Sequence, residues 1–572
     1  MKKIGIFPDG HKGETARPAW QIALCYGIAF LTAALPLFLY GQGWTGEVVI
    51  LLEHLLKNQQ DTLHYLASAY MDTESPAGTD PTRILHALPI ALALWTPNPA
   101  RVLDAALLIT WVGLGMSVWK LTLLLFPAHR NGAFIAGMIT VLTAFDVSQL
   151  HVSYYPHLLG VLLFVLALIL LIRWWQDGGA LLLALSCAML SVSMLIYGLA
   201  APSIPFALAL LLVLSLVERK PLLPELRRLF LAAVAWGLPL AAYAAVLLVY
   251  ASFFPEESSS AKALTFSFTL EQVPLWGRMV LLNFVPVAWL YPHPFFWGQT
   301  MAYSGWVVAA TAAGAAMLAI LAAVVMDGGA RETSPRPIVS RRFLLLGAAL
   351  IVMIVASNIS FSNLMHAGMM FRTHLVSQVP AAVLLGVALS ALWDRERFRR
   401  AGIALTTLVF FCGAWSVAER SRHLVSTWQS HHLELASLAE ELTHIPDTAD
   451  IVLFDPPGVP YIATVASWHA RGWTGILRGE VQPRDHFFLW SPDREANCIP
   501  QGEKLLCSGE SQSRIEFAAK NLVILGYDLN DGKYHVMKKG RLFNAEGYRP
   551  GKLMANYTRP LPEFAQKIIE GQ

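Results

Sequence analysis

The candidate carboxylates between residues 42 and 102 are Glu47 in GWTGEVVILLEHLL, then Glu53, Asp61 and Asp72. An ionised carboxylate in such a segment can take a proton from a substrate hydroxyl, which is general-base chemistry. Each also has a structural use. Glu47 follows Thr45 at a helix start, where negative charge suits the dipole, and Asp61 suits an N-cap. Glu53 and Lys57 have the i,i+4 spacing of a solvated helical ion pair. Arg101 and Arg372 stand in segments poor in positive charge, where a guanidinium either holds a phosphate or snorkels at the end of a membrane span. His86, His157 and His366 could share a divalent metal, but lone histidines near a membrane interface more often serve as polar filler, so no metal is expected. Cys498 and Cys507, with eight residues between them, are expected to form a local disulfide in an oxidising compartment. They lack the nearby His pair that a tetrahedral metal site would need. No Walker loop, GxGxxG, HExxH, CxxC or GxSxG occurs, which removes the simplest support for ATP-driven or metalloprotease chemistry.

The elements that must position these groups are apolar helices. Of the 572 residues, 55% are hydrophobic and only 14% charged, with mean hydropathy +0.50, against about 25% charged in ordinary soluble proteins. That balance excludes a typical soluble enzyme, a disordered chain and a disulfide-dense scaffold. The net charge of +3 argues against nucleic acid as a partner. A hydrocarbon core of about 30 Å needs roughly 20 apolar helical residues. Eleven spans meet that need, near 20–41, 103–126, 132–150, 158–173, 180–197, 203–217, 229–252, 304–326, 343–358, 374–393 and 401–418. The first is too long, and too far from the N-terminus, to read as a cleaved signal peptide. Asp104 and Asp146 lie within or at the ends of spans, where carboxylates are costly, and structural partners are expected for both. Cys25, Cys187 and Cys412 fall inside spans as inert core residues.

Orientation follows from Lys and Arg in the short loops. One alternating set of loops holds eighteen, from Lys2 and Arg17 through Arg130, Arg173, Arg228 and Arg342 to Arg400; the other set, though longer, holds six: Lys57, Arg83, Arg101, Lys262, Arg278 and Arg372. This places residues 1–19 in the cytoplasm and the tail outside, provided that 82–97, short and proline-flanked, is a re-entrant or interfacial helix. The outer loop 42–102 reads as two amphipathic surface helices. The outer loop 254–303 carries Trp, Tyr and Phe residues suited to the headgroup layer and is expected to dip into the bilayer. The tail 419–572 reads as an external α/β domain: a helix at 431–445, a strand ADIVLFD, a PPG turn, a helix PYIATVASWHA, and strands DHFFLW and NLVILGYDL. The expected fold class is therefore a polytopic α-helical membrane bundle, 20–418, followed by a C-terminal α/β domain.

This arrangement, and above all the stretch from NPARVLDAALLITWVGLG through TAFDVSQLHVSYYPHLLG, resembles the GT-C glycosyltransferases, in particular the branch of protein O-mannosyltransferases and lipid A aminoarabinose transferases. Arg101, Arg130 and HVSYYPH at 151–157 occupy places where that branch has an Arg opening the second span, inner basic residues and a polar outer loop. FRTHLVSQVPAAVLLG at 371–386 is similar to its late Arg-aromatic segment. The resemblance covers roughly 20–400 and implies transfer of a sugar from a polyprenyl-phosphate carrier to an external protein, lipid or glycan, inverting by direct displacement. It implies Glu47 as the base, with Asp61 as its rival, and Arg101, Arg372 and Arg83 at the donor phosphate. His86, Tyr154, Tyr155, His157 and His366 are then candidate cavity-lining residues. The family's acidic pair is absent, since Thr45 and Gly46 precede Glu47 and Val48 follows it, and Pro156 and His157 stand near the place of a second acid. A non-catalytic membrane scaffold or lipid translocator, or a surface-glycan polymerase or ligase, remains open as an alternative.

Overall fold

The computed structural model describes residues 18–40, 85, 88–94, 96, 98–144, 149–151, 155–253, 273–290, 305–327, 340–359, 374–446, 448–454, 467–478, 486–490, 497–501, 504–509, 512–518, 520–528 and 533–536. Although the helix under 132–150 ends at Leu142 and residues 145–148 lie outside the described set, each expected span overlaps a helix. In chain order these are α1 (Ala19–Ala33) and α2 (Leu35–Tyr40), α3 (Leu88–Leu94), α4 (Pro99–Leu125), α5 (Arg130–Leu142), α6 (Tyr155–Asp177), α7 (Ala180–Ile196), α8 (Ile204–Val217), α9 (Leu222–Phe253), α10 (Val273–Leu282), α11 (Gly305–Asp327), α12 (Arg341–Ile359), α13 (His374–Trp393) and α14 (Arg399–Leu442). Among the described residues, seven helical stretches are long and apolar enough to cross a membrane: 100–125, 155–177, 200–217, 223–246, 305–327, 375–393 and 396–425. The chain is a multi-pass helical membrane protein. The short helix α3 packs on α4, within the segment expected to be re-entrant.

Local sequence explains where these helices start and how closely they approach. Asn98 caps α4 by accepting the Arg101 backbone N–H at 3.2 Å, and Pro99 takes the first helical position, where a missing N–H costs nothing. Glycines then set the spacing. A Cβ at Gly137 would lie 2.6 Å from the Gly115 carbonyl oxygen, so α4 and α5 meet backbone to backbone. Tyr26 of α1 closes that junction by donating its hydroxyl to the Phe134 carbonyl at 2.9 Å. A Cβ at Gly386 would fall 2.7 Å from Ala136, which keeps α13 against α5. Phe30, Trp111, Trp175 and Trp236 fill the bundle interior.

The helix ends segregate as the charge alternation requires. At the arginine-rich end, Arg342 donates to the Leu125 carbonyl at 2.6 Å, Asp327 receives Asn131 at 3.2 Å and Arg399 at 3.0 Å, and Arg228 donates to the Trp174 carbonyl at 2.8 Å. At the opposite end Ser203, opening α8, meets Ser357, near the close of α12, at 2.9 Å.

Helix α14 departs from expectation. A span at 401–418 and a separate helix at 431–445 are one element of 44 residues, and position 419 lies inside it. The connecting residues ERSRHLVSTWQS contain no Gly or Pro, so nothing breaks the backbone hydrogen-bond ladder. At about 1.5 Å per residue the helix is roughly 66 Å long, twice a hydrocarbon core. Its far half packs on a sheet of order β2-β1-β6-β7, in which β1 (Asp450–Phe454), β2 (Phe487–Trp490) and β6 (Leu522–Asp528) run parallel and β7 (Lys533–Val536) antiparallel. Ser437 of α14 receives the Tyr534 backbone N–H at 3.0 Å. Helix α15 (Ser467–Arg478) joins β1 to β2; it starts near the end of the expected PYIATVASWHA helix and runs on through Gly472 and Gly475, and residues 455–466 lie outside the described set. An antiparallel sheet of β3 (Asn497–Gln501), β4 (Lys504–Gly509) and β5 (Gln512–Ala518) was not foreseen. It covers the other face, where Val452, Phe488 and Ile524 pack with Leu505 and Phe517. Cys498 and Cys507 are register partners on β3 and β4 and form the expected disulfide.

Candidate functional site

The arginine-poor end of the bundle carries the sequence-predicted residues that can be placed. Arg101 sits in the first turn of α4 and donates Nη1 to the carbonyl of Phe38 at 2.8 Å. Phe38 precedes the 42–102 segment and Arg101 closes it, so both ends of that segment are held at one point. The Leu85 N–H adds a contact, donating to the Leu195 carbonyl at the end of α7 at 3.1 Å. Asp104 is buried on α4, three residues beyond Arg101. Tyr155 and His157 open α6 and are both buried; the His157 ring lies 3.9 Å, centroid to centroid, from Tyr197 at the close of α7. Glu47, Asp61, Arg83, His86, Tyr154, His366 and Arg372 lie outside the described residues, as do Glu53, Asp72 and Asp146. Among the described residues no group of three or more His, Cys, Asp or Glu side chains converges as a metal site.

Sequence reading missed a second constellation at this end. Gln378 of α13 donates Nε2 to the Thr143 carbonyl, where α5 ends, at 2.8 Å. The next backbone N–H, of Ala144, donates to Ser416 Oγ of α14 at 3.0 Å. One turn on, Arg420 donates Nη1 to the Ser416 carbonyl at 3.1 Å, to Glu419 at 3.0 Å and, at a long 3.5 Å, to the carbonyl of Trp289. Trp289 lies in a short 3-10 turn (Pro286–Leu290) after α10 and donates Nε1 to the Leu282 carbonyl at 2.7 Å. Asn283 meets Ser377 at 3.4 Å, which closes a ring through α10, α13, α5 and α14. Gln378, Ser377, Ser416, Arg420, Asn283 and Trp289 are all at least 97% buried.

Polar side chains inside an apolar bundle are costly and mark function or a structural lock. The available signal is SerGln at 377–378 interrupting an apolar run, and GluArgSerArg at 419–422 directly after the apolar run that closes at 418. His151, between α5 and α6, is buried at the same end, and burial pushes its pKa down to about 4, so it is neutral at physiological pH. Fixed dipoles and a buried guanidinium line this end of the bundle. Glu419 is paired with Arg420 within that ring.

No family model matches the chain, and no curated protein matches it. Among solved structures it is similar to the Archaeoglobus fulgidus oligosaccharyltransferase in the apo form, at 13% identity and TM-score 0.44, over 81% of this chain and 64% of that one. It is similar to archaeal oligosaccharyltransferase AglB from Archaeoglobus fulgidus in complex with an inhibitory peptide and a dolichol-phosphate, at 13% identity and TM-score 0.39, over the same shares. It is also similar to ArnT from Cupriavidus metallidurans in the apo state, at 15% identity and TM-score 0.36, over 77% of this chain and 83% of that one. The chain spans 64% of the length of the two archaeal structures.

Proposed function

We propose that this chain is a membrane glycosyltransferase of the GT-C kind, which moves a sugar from a polyprenyl-phosphate carrier to an external acceptor. The observation that carries the reading is the Arg101 to Phe38 hydrogen bond, which gathers the ends of the 42–102 segment at the arginine-poor end of the bundle. Glu47 stands nine residues after Phe38 in the sequence and is taken as the carboxylate that serves a lipid-borne sugar's anomeric carbon. In the proposed step, Glu47 accepts the proton of an acceptor hydroxyl as its oxygen bonds to the anomeric carbon from the face opposite the phosphate. The bond from that carbon to the phosphate oxygen breaks with its electron pair, and the configuration inverts. Polyprenyl phosphate leaves with its charge stabilised by Arg101, Arg372 and Arg83.

All eleven expected spans are read as crossing a bacterial inner membrane, with the N-terminus in the cytoplasm and the domain after 419 in the periplasm. Two facts support that orientation: the clustering of described arginines at one bundle end, and a disulfide in the domain that continues from the other, as suits an oxidising compartment.

The test is transfer of sugar from a polyprenyl-phosphate donor by purified protein. Glu47→Gln should lower the rate by at least about 100-fold, the lower bound for a positioned base, whereas Glu53→Gln should change it little. An unchanged rate in folded Glu47→Gln would move the base to Asp61. No transfer by the unaltered protein with any such donor would overturn the enzymatic reading.

A further inference from the structure

Arg420 is nearly completely buried on α14, at the point where that helix passes from the bundle toward the C-terminal sheet. Burying a guanidinium is unfavourable unless its N–H groups are paired, and here Nη1 reaches Glu419 and the carbonyls of Ser416 and Trp289. The last of these belongs to a different element. Trp289, in the 3-10 turn at 286–290, is bonded back to Leu282, and Asn283, just before that turn, meets Ser377 of α13. Val285 and Val287 in the same stretch are exposed. Phe284, Trp289 and Leu290 pack the stretch against the core, and Arg420 adds a polar tie from α14 to the Trp289 carbonyl.

We infer that Arg420 is a positioning residue that holds the 286–290 turn against the arginine-poor face of the bundle, and so couples that turn to the helix bearing the C-terminal domain. The inference rests on the proposed transfer reaction only for its activity readout. Removing the guanidinium leaves the Trp289 and Ser416 carbonyls buried with one donor fewer, which frees the turn without opening the helices on either side.

The experiment is hydrogen exchange on the full-length protein in nanodiscs, read at residues 280–290, where the Asn283, Phe284 and Val285 amides donate to the Val280 and Leu281 carbonyls. With Arg420→Gln, exchange there should rise at least about tenfold, the scale of a lost charged hydrogen bond, while α5 and α13 keep their protection. Arg420→Lys should fall between, because an ammonium cannot span the same acceptors in one plane. If Arg420→Gln does not fold, Arg420→Lys decides alone. A rise confined to 280–290 supports the inference; an unchanged stretch, or a uniform rise across the bundle, overturns it. Where transfer is measurable, turnover should fall with the local rise. Absence of transfer in the unaltered protein would sink the proposed reaction and leave the exchange result standing.

Discussion

Arg101 Nη1 and the Phe38 carbonyl oxygen lie 2.8 Å apart, joining the start of one membrane helix to the end of another across 63 residues of sequence. A guanidinium has five donors, so this bond leaves others for a phosphate. If Arg101 serves the donor, Arg101→Ala should weaken donor affinity strongly and Arg101→Lys should restore only part of it, since a point charge keeps attraction without the planar fork. Arg372→Ala and Arg372→Lys should behave alike. Donor affinity and melting temperature measured together separate this from anchoring: full affinity in all four variants, with lower melting temperatures, would remove the phosphate role.

Topology gives a second expectation. In intact spheroplasts, a cysteine introduced at position 570 should react with a membrane-impermeant maleimide, and one at position 335 should react only after lysis. The opposite pattern would reverse the orientation and with it every assignment to the outer face.

His151 predicts a specific pH dependence. Its folded pKa, lowered by burial to about 4, lies below the ordinary histidine value of 6.5. Above pH 6.5 neither state is protonated and the group is neutral in its effect. As pH falls from 6.5 toward 4, the unfolded chain binds a proton that the folded protein refuses, so stability is lost through that window and levels off below it. The full loss is on the order of 3 kcal/mol, with more than half of it reached by pH 5. Thermal unfolding of His151→Gln between pH 7.5 and 5 should show a shallower decline than the unaltered protein; parallel declines would mean that His151 is protonated while folded.

Close packing at Gly386 gives a stability prediction. A methyl there would press on the Gly132 carbonyl and on Ala136, both on the facing helix, and backbone cannot move aside cheaply. Gly386→Ala should cost about 1–3 kcal/mol, the usual penalty of overpacking. Gly237→Ala on α9, where an added Cβ meets nothing within 4 Å, should be neutral or slightly stabilising. Equal melting temperatures for the two variants would show that α5 and α13 are not pressed together as described.

What the sequence determined by itself is local. Apolar runs of span length overlap described helices, shortest under 132–150, and alternating strand segments match β1, β2 and β6, because periodicity and hydropathy act within a few turns of chain. The Cys498–Cys507 bridge was legible for the same reason, its partners being separated by one tight hairpin. Candidate carboxylates could be named from their segment, and Arg101 from its place at a span end. Tertiary structure alone decided what those residues meet. Gln378 is 235 residues from Thr143 and Arg420 is 131 from Trp289, and no local pattern encodes such pairs. The unbroken run of α14 through position 419 was likewise invisible to a hydropathy reading, which registers where apolar character stops. A helix stops only where its hydrogen bonds do, and its polar half is kept in register by β7 and α15, which pack on it from far along the chain.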